Sequence, residues 1–266
     1  MNIVLERVVF VVLMVAAGGA IWWWWKSHGT PPPVAPPAAE TAPARPAEPE
    51  ILHPIETAPV AARAEASASL PALAESDAVV LDSLASMFAH RRLPDFLITK
   101  DLVRRIVVTV DNLPRERAAA QRWPVKPAPG RFTVHETAEG KAIGADNAAR
   151  YALYVQWLES LDMRKLAALY VRFYPLFQQA YRDLGYPHGH FNDRLVTVID
   201  HLLGTPQVKP PLALVQPKVL YEYADADLQA LSAGQKVLLR IGADNAARVK
   251  AKLRELRREI TREPPP

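Results

Sequence analysis

The chain lacks cysteine altogether. This absence excludes disulfide bridges, thiolate metal ligands and cysteine nucleophiles, and it leaves cysteine usage silent about the redox environment of the protein. Recognisable catalytic motifs are absent too: there is no phosphate-binding loop, no dinucleotide-binding glycine fingerprint, no G-x-S-x-G turn and no H-E-x-x-H helix. We therefore predict no cofactor and no metal, and the sequence favours a binding module over an enzyme.

An uncharged apolar stretch, VVFVVLMVAAGGAIWWWW, runs from Val8 to Trp25. A helix rising about 1.5 Å per residue over this length, together with its flanks, crosses a hydrocarbon layer of about 30 Å. A cleaved signal peptide needs small residues near its end, whereas this stretch ends in tryptophans that suit the lipid headgroup region. We predict that residues 1–26 form an uncleaved transmembrane signal anchor. The short N-terminal stub favours an inner-membrane protein with its C-terminal domain in the periplasm.

Residues 27–75 are rich in proline and alanine and have no bulky apolar periodicity. Proline holds the backbone near polyproline II, and a segment of this composition buries too little apolar surface to offset the entropy of ordering it. We predict a disordered tether, which would reach on the order of 140 Å if fully extended. The tether is acidic, with two arginines against six glutamates, whereas the remainder of the chain is basic.

Residues 76–262 have the apolar spacing of helices, interrupted by proline and glycine. We predict a mainly α domain of about seven helices with a small β-hairpin or short strands. The predicted helices run from Ser76 to near His90, Thr99 to Asn112, Asp146 to Leu158, Asp162 to Gly185, Asn192 to Leu203, Asp225 to Arg240 and Asp244 to Thr261.

Local signals refine this outline. Ser76, Asp146 and Asp162 are predicted to cap the helices that follow them, because their side-chain oxygens can accept hydrogen bonds from free amide groups. Gly204 is the predicted C-cap of the helix before it. Pro175 is predicted to kink or split its helix, because proline lacks the amide hydrogen and clashes with the preceding turn.

One octapeptide, IGADNAAR, occurs twice, at Ile143–Arg150 and again at Ile241–Arg248. The similarity stops on both sides of each copy, which argues against a duplicated domain. The favoured interpretation is that each copy is a helix start, in which glycine is followed by Asp or Asn and small helix formers. A shared binding role is the alternative.

Polar residues lie beside a dense row of aromatic residues in the helix that contains Pro175 and in the helix that follows it. Aromatic residues at helical spacing usually belong to a core, but polar neighbours are also typical of a ligand groove. The candidate ligand or partner surface consists of Arg172, Gln178, Gln179, Arg182, Asn192, Asp193 and Arg194. The expected partner is an envelope protein or a glycan. An envelope enzyme acting on glycan or peptide, with its site near Gln178–Arg194, is the alternative.

The last predicted helix is amphipathic and strongly basic. An apolar stripe of Val249, Leu253, Leu256 and Ile260 is surrounded by lysine and arginine. Such a helix either docks its stripe onto the domain or, if the domain is cytoplasmic, binds anionic lipid or nucleic acid. We favour docking and do not predict nucleic-acid binding.

Three long strings resemble a known family. They are LITKDLVRRIVVTVDNLPR at Leu97–Arg115, YPLFQQAYRDLGYPHGHFNDRLVTVIDHLLGTP at Tyr174–Pro206 and QPKVLYEYADADLQALSAGQKVLLRIG at Gln216–Gly242. They are similar to an uncharacterised proteobacterial, membrane-anchored family catalogued as domain of unknown function number three thousand and fourteen. The resemblance implies a bacterial inner-membrane envelope protein, and it supplies no activity, cofactor or catalytic residue.

Overall fold

The computed structural model describes residues 50–55, 70–87, 93–138 and 140–261. The predicted anchor at residues 1–26 and most of the predicted tether lie outside these ranges. Among the residues that are described, no helix combines the length and apolar character needed to cross a membrane.

The described chain is mainly helical and carries a small antiparallel sheet, which confirms the predicted fold class at that level. The α-helices are α1 (Asp77–Ala85), α2 (Leu93–Phe96), α3 (Leu102–Asn112), α4 (Ala152–Glu159), α5 (Met163–Asp183), α6 (Phe191–Leu203), α7 (Ala226–Ala230), α8 (Ala233–Arg240) and α9 (Ala243–Thr261). The strands are β1 (Val134–Thr137), β2 (Gly140–Ile143), β3 (Ala213–Val215) and β4 (Glu222–Tyr223), and they lie side by side in that order.

The start of α3 is fixed by a side chain from another helix. Both carboxylate oxygens of Asp77, at the first position of α1, accept hydrogen bonds from backbone amides: one from Asp101, at 2.7 Å, and one from Leu102, at 2.9 Å. Asp101 has a left-handed backbone with φ 55° and does not cap the helix with its own side chain. An aspartate distant in sequence therefore satisfies amides that a helix N-terminus leaves free.

Two predicted N-caps are wrong. Ser76 donates its hydroxyl to the carbonyl of Leu73 and makes no side-chain cap, and α1 ends at Ala85, short of the predicted end. Asp146 lies inside a 3₁₀ helix, Ala145–Tyr151, that precedes α4. Its carboxylate faces His135, at 3.4 Å, instead of the helix amides.

The long helix α5 follows its sequence signals more closely. Asp162 caps it as predicted, because one carboxylate oxygen accepts hydrogen bonds from the amides of Arg164 and Lys165. The helix runs unbroken through Pro175, so the predicted split does not occur. A proline inside a helix removes one hydrogen bond of the ladder without necessarily ending it.

The helix predicted from Asp225 to Arg240 is two helices, α7 and α8. Ser232 starts α8 with a capping box: its hydroxyl accepts a hydrogen bond from the amide of Gln235, whose side chain accepts one from the amide of Ser232. The sequence carries the S-x-x-Q signature of this motif. The two reciprocal hydrogen bonds make a new helix start inside a stretch whose apolar spacing looked continuous.

Helix α5 lies at the centre of the main core. It packs against α3, and α9 packs across α4, α5 and α6. Phe173 of α5 and Phe191 of α6 are fully buried, and Phe177 stacks on Phe191 with ring centroids 5.7 Å apart. Burying one such apolar side chain stabilises the folded state by about 1.5–3 kcal/mol relative to leaving it exposed to water. Much of the aromatic row seen in the sequence is therefore core.

The sheet packs against α8 through a separate cluster that contains Leu214, Tyr223 and Leu239. The predicted hairpin is confirmed by the pairing of β1 with β2, in which Val134 lies opposite Ile143. The two later strands extend this hairpin, because β3 pairs with β2 and β4 pairs with β3.

Candidate functional site

The seven predicted surface residues lie on α5 and α6 in distinct environments. Gln179 and Arg182 are exposed on α5. The guanidinium of Arg172 lies 5.3 Å from the centre of the Phe173 ring. The other four candidates differ in their hydrogen-bond partners. Gln178 bonds to the turn before α6, and Arg194 pairs with the buried carboxylate of Asp111. Asn192 and Asp193 bond to backbone groups of a segment near the start of the described chain.

Gln178 supports the turn between α5 and α6. Its side-chain oxygen accepts hydrogen bonds from the amide of Phe191 and from the hydroxyl of Tyr174, both at 2.9 Å, and its amide nitrogen donates to the carbonyl of Gly189 at 2.7 Å. These three bonds occupy both the oxygen and the nitrogen of the Gln178 side-chain amide. Gln178 thus positions the first turn of α6, and its role is structural.

Arg194 binds a buried carboxylate. Its guanidinium donates to Asp111 Oδ1 at 3.1 Å and to the Asp111 carbonyl at 2.8 Å. Asp111 also accepts a hydrogen bond from Arg115, at 2.6 Å, and one from the hydroxyl of Tyr186, at 3.2 Å. The Asp111 side chain is 2% exposed, so these partners compensate a charge that would otherwise be buried alone. This network ties α3 to α6.

Asn192 and Asp193 bind the main chain of a short segment that lies within the predicted tether. Asp193 Oδ1 accepts a hydrogen bond from the amide of His53 at 2.7 Å, and Asp193 Oδ2 accepts one from the amide of Leu52 at 3.1 Å. Asn192 Nδ2 donates to the carbonyl of His53 at 2.8 Å. We call Asn192 and Asp193 the clamp, and residues 50–55 the docked segment.

The local fold orients the clamp. Asn192 is buried, and its Oδ1 accepts a hydrogen bond from the hydroxyl of Tyr170 at 3.2 Å. Burial is the main cause that raises the pKa of Tyr170 well above its usual value, and electrostatic interactions with Tyr174 and Asp193 raise it further. The phenol therefore stays protonated and can donate. Because Oδ1 is occupied in this way, Nδ2 is directed at the carbonyls of His53 and Ile260.

Asp193 lies in the first turn of α6, where the helix dipole favours a negative charge. Its two oxygens accept from consecutive amides of the docked segment. Consecutive amides of an extended strand point in opposite directions, so the segment must bend to present both, and the chain does bend at Leu52 and His53. The clamp therefore reads a bent main chain.

The clamp was not evident as a unit from sequence, because its ligand lies some 140 positions earlier in the chain. One signal was present: EILHPI, at residues 50–55, places three bulky aliphatic residues within a segment otherwise dominated by proline and alanine. Asp111 and Tyr170 were also missed. Neither carries a local motif, and both gain their roles from partners on other elements.

The described histidines do not form a metal centre. Within the described ranges, no three side chains among histidine, aspartate and glutamate are grouped so that they could hold an ion. Two residues of metal-ligating type have other partners instead: His201 shares a hydrogen bond with Ser232 at 2.8 Å, and the carboxylate of Asp193 accepts from the docked segment.

Helix α9 docks its apolar stripe onto the domain. Ile260 is buried, and Val249, Leu253 and Leu256 pack against the two core clusters around α5 and α6. Several of its basic groups bind inside the domain: Arg248 pairs with Glu159, Arg257 pairs with Asp200, and Lys250 donates to the carbonyl of Thr205. The apolar stripe of α9 therefore packs on the domain.

The comparisons with known proteins identify a family and nothing more specific. A family model described as "Protein of unknown function (DUF3014)" matches residues 102–257, more than half of the chain. The clamp lies inside the matched region, whereas the docked segment precedes it. Neither a curated protein nor a solved structure matches the chain.

Proposed function

Because the chain belongs to the DUF3014 family of unknown function, we propose a function from the geometry of its site: the helical domain is a binding module that holds a polypeptide partner at the clamp. The supporting observation is a set of three hydrogen bonds: Asp193 accepts from the amides of Leu52 and His53, and Asn192 donates to the carbonyl of His53. Main-chain recognition of this kind is how many protein modules bind peptides.

We further propose that the module works in the bacterial cell envelope. Residues 8–25 anchor it in the inner membrane, the proline-rich segment spaces it from the bilayer, and the domain lies in the periplasm. The apolar stretch and the tryptophans at its end support this placement. A reporter that is active only in the cytoplasm, fused at the C-terminus of the full chain, tests it. Reporter activity would contradict the periplasmic location.

The binding function is tested by crosslinking in cells. A photoreactive amino acid replaces Thr197 of the full chain, because Thr197 is exposed on α6 and its hydroxyl donates to the carbonyl of Asp193. The matched position is Glu136, exposed on strand β1. We expect one identified envelope protein to crosslink at position 197 and not at 136, and the purified partner to bind the purified full chain. Equal labelling at both positions, or no protein adduct at 197, would contradict the proposal.

A further inference from the structure

The docked segment has the character of a ligand. Its hydrogen bonds to Asn192 and Asp193 come from main-chain groups of Leu52 and His53, and the side chains of Ile51 and Leu52 stay 47% and 68% exposed. Those two side chains therefore contribute little to binding, whereas His53 and Ile55 are half-buried. A segment that belongs to the hydrophobic core buries its bulky side chains, as Leu73 does at the start of the helical domain.

We infer that the clamp is a peptide site for a bent segment of the form X-Pro-aliphatic, and that the docked segment occupies it in cis until a partner segment of the same chemistry displaces it. This inference rests on the proposed binding function and names the ligand class and its regulation. The two amides on Asp193 and the carbonyl on Asn192 fix the bend.

Proline at position 54 fits this recognition. Proline has no amide hydrogen, so the run of consecutive amide donors that begins at Leu52 stops after His53. Proline also disfavours the helical region for the residue before it, which reduces the number of conformations that His53 loses on docking. A half-buried Ile55 then supplies apolar contact. Side chains at the positions of Ile51 and Leu52 are expected to vary without loss of binding.

Occupancy in cis has a consequence for any partner. A ligand joined to its site by a short linker acts at an effective concentration that reaches the millimolar range. A free peptide must therefore compete with the docked segment for the clamp. Its apparent dissociation constant equals the intrinsic value divided by the fraction of molecules whose clamp is open. The docked segment thus sets a threshold for partner binding.

The experiment uses the full chain in detergent micelles and a fluorescent peptide of residues 47–57. In the open variant, the combined changes His53→Gly, Pro54→Ser and Ile55→Gly remove the proline, the restricted residue before it and the half-buried aliphatic side chain. We expect saturable peptide binding to the open variant and about tenfold weaker apparent binding to the unmodified chain. Equal binding to both proteins, or no binding to the open variant, would overturn the inference.

Matched peptides isolate the main-chain contacts without altering the protein. N-methylation of the amide of Leu52 or His53 removes one donor to Asp193, whereas N-methylation at Ile51 leaves both donors. Loss of a hydrogen bond to a charged group weakens binding by about tenfold or more. We expect that loss for the first two peptides only. Equal affinity of all three would contradict the clamp as the site.

A protein variant provides the second arm. Asp193→Ala in the open variant is expected to abolish binding, whereas Asp183→Ala, which removes an exposed aspartate at the end of α5, leaves it intact. Circular dichroism verifies that both variants are folded. If peptide binding fails while the Thr197 crosslink still finds its partner, the inference is wrong and the binding function stands. If the peptide binds but no partner is found in cells, the binding function is wrong.

Discussion

Asn147 and Asn245, the same residue of two identical octapeptides, each donate a hydrogen bond to the main chain at the other octapeptide. Asn147 donates to the carbonyl of Arg240, just before the second copy, at 2.8 Å, and Asn245 donates to the carbonyl of Ala148 in the first copy at 3.0 Å. Both side chains are buried. The two IGADNAAR copies thus form a single reciprocal contact that joins the 3₁₀ helix after the hairpin to the end of α8 and the start of α9.

Removal of one asparagine should destabilise the domain. Asn245→Ala leaves the carbonyls of Ala148 and Ile241 without this donor, and we expect the free energy of unfolding to fall by about 1–3 kcal/mol. The matched change Asp244→Ala, at an exposed neighbour in the first turn of α9, should lower it by no more than about 1 kcal/mol, the usual contribution of a carboxylate to a helix N-terminus. Urea unfolding of the full chain in micelles measures both values. Equal effects would show that the buried amide contributes nothing specific.

The close approach of the two octapeptides also explains a glycine. Gly242 has φ 89°, and a Cβ atom there would lie 2.9 Å from Ala148 Cβ. Gly140 has a similar positive φ, 117°, but a Cβ there would meet no described atom within 4 Å. We expect Gly242→Ala to lower the free energy of unfolding by about 1–3 kcal/mol more than Gly140→Ala, because only the first adds a clash to the backbone strain. Thermal or urea unfolding compares the two variants, and similar losses would remove the steric argument.

The buried carboxylate of Asp111 predicts unequal roles for its two arginine partners. The side chain of Arg194 is 27% exposed and that of Arg115 is 55% exposed. Arg194→Ala is expected to cost roughly 1–3 kcal/mol of unfolding free energy, because it removes hydrogen bonds to a buried charge, and Arg115→Ala should cost less. Urea unfolding of both variants tests the order. A larger loss for Arg115→Ala would place the main compensating charge at the exposed partner.

The domain should lose stability in alkali through buried phenols. Burial raises the pKa of Tyr223 from its ordinary value of 10 to about 12. The unfolded chain therefore releases this proton first, so the contribution of Tyr223 is complete below pH 10 and is lost as the pH rises from 10 to about 12.

Urea unfolding at a series of pH values measures this loss, and near-ultraviolet absorbance follows the phenolate. Tyr223→Phe serves as the control, since it removes the titrating group and its hydrogen bond to the carbonyl of Lys236. The variant should show a shallower decline across this window. An unchanged slope would assign the alkaline loss to other groups.

Local sequence signals gave part of the fold. The apolar spacing of Leu102, Val103, Ile106, Val107 and Val110 predicted α3, and these side chains are buried except Ile106, which is half-buried. The Asp162 cap and the β1–β2 hairpin were also correct, since each depends on a few neighbouring residues. Ser76 shows the limit of such signals: its hydroxyl found the carbonyl of Leu73, and a cap position does not determine which partner a short polar side chain takes.

The sequence did not separate the members of the candidate surface by their roles. Asn192, Asp193 and Arg194 are adjacent in the chain, yet the first two bind the docked segment and the third binds Asp111. Successive residues of a helix point in different directions, so adjacency in sequence does not group them in space. Gln178 likewise proved to be a support for the turn before α6.

The sequence by itself determined the helical class and the hairpin, because each follows from a period that repeats within one segment, and its composition predicts an apolar anchor. Only the tertiary structure decided that Asp77 caps α3, that the two octapeptides meet, and that Asp193 holds the main chain of Leu52 and His53. These contacts join residues far apart along the chain. Their energies depend on packing that brings a donor and an acceptor together, and that information is not contained in any local pattern.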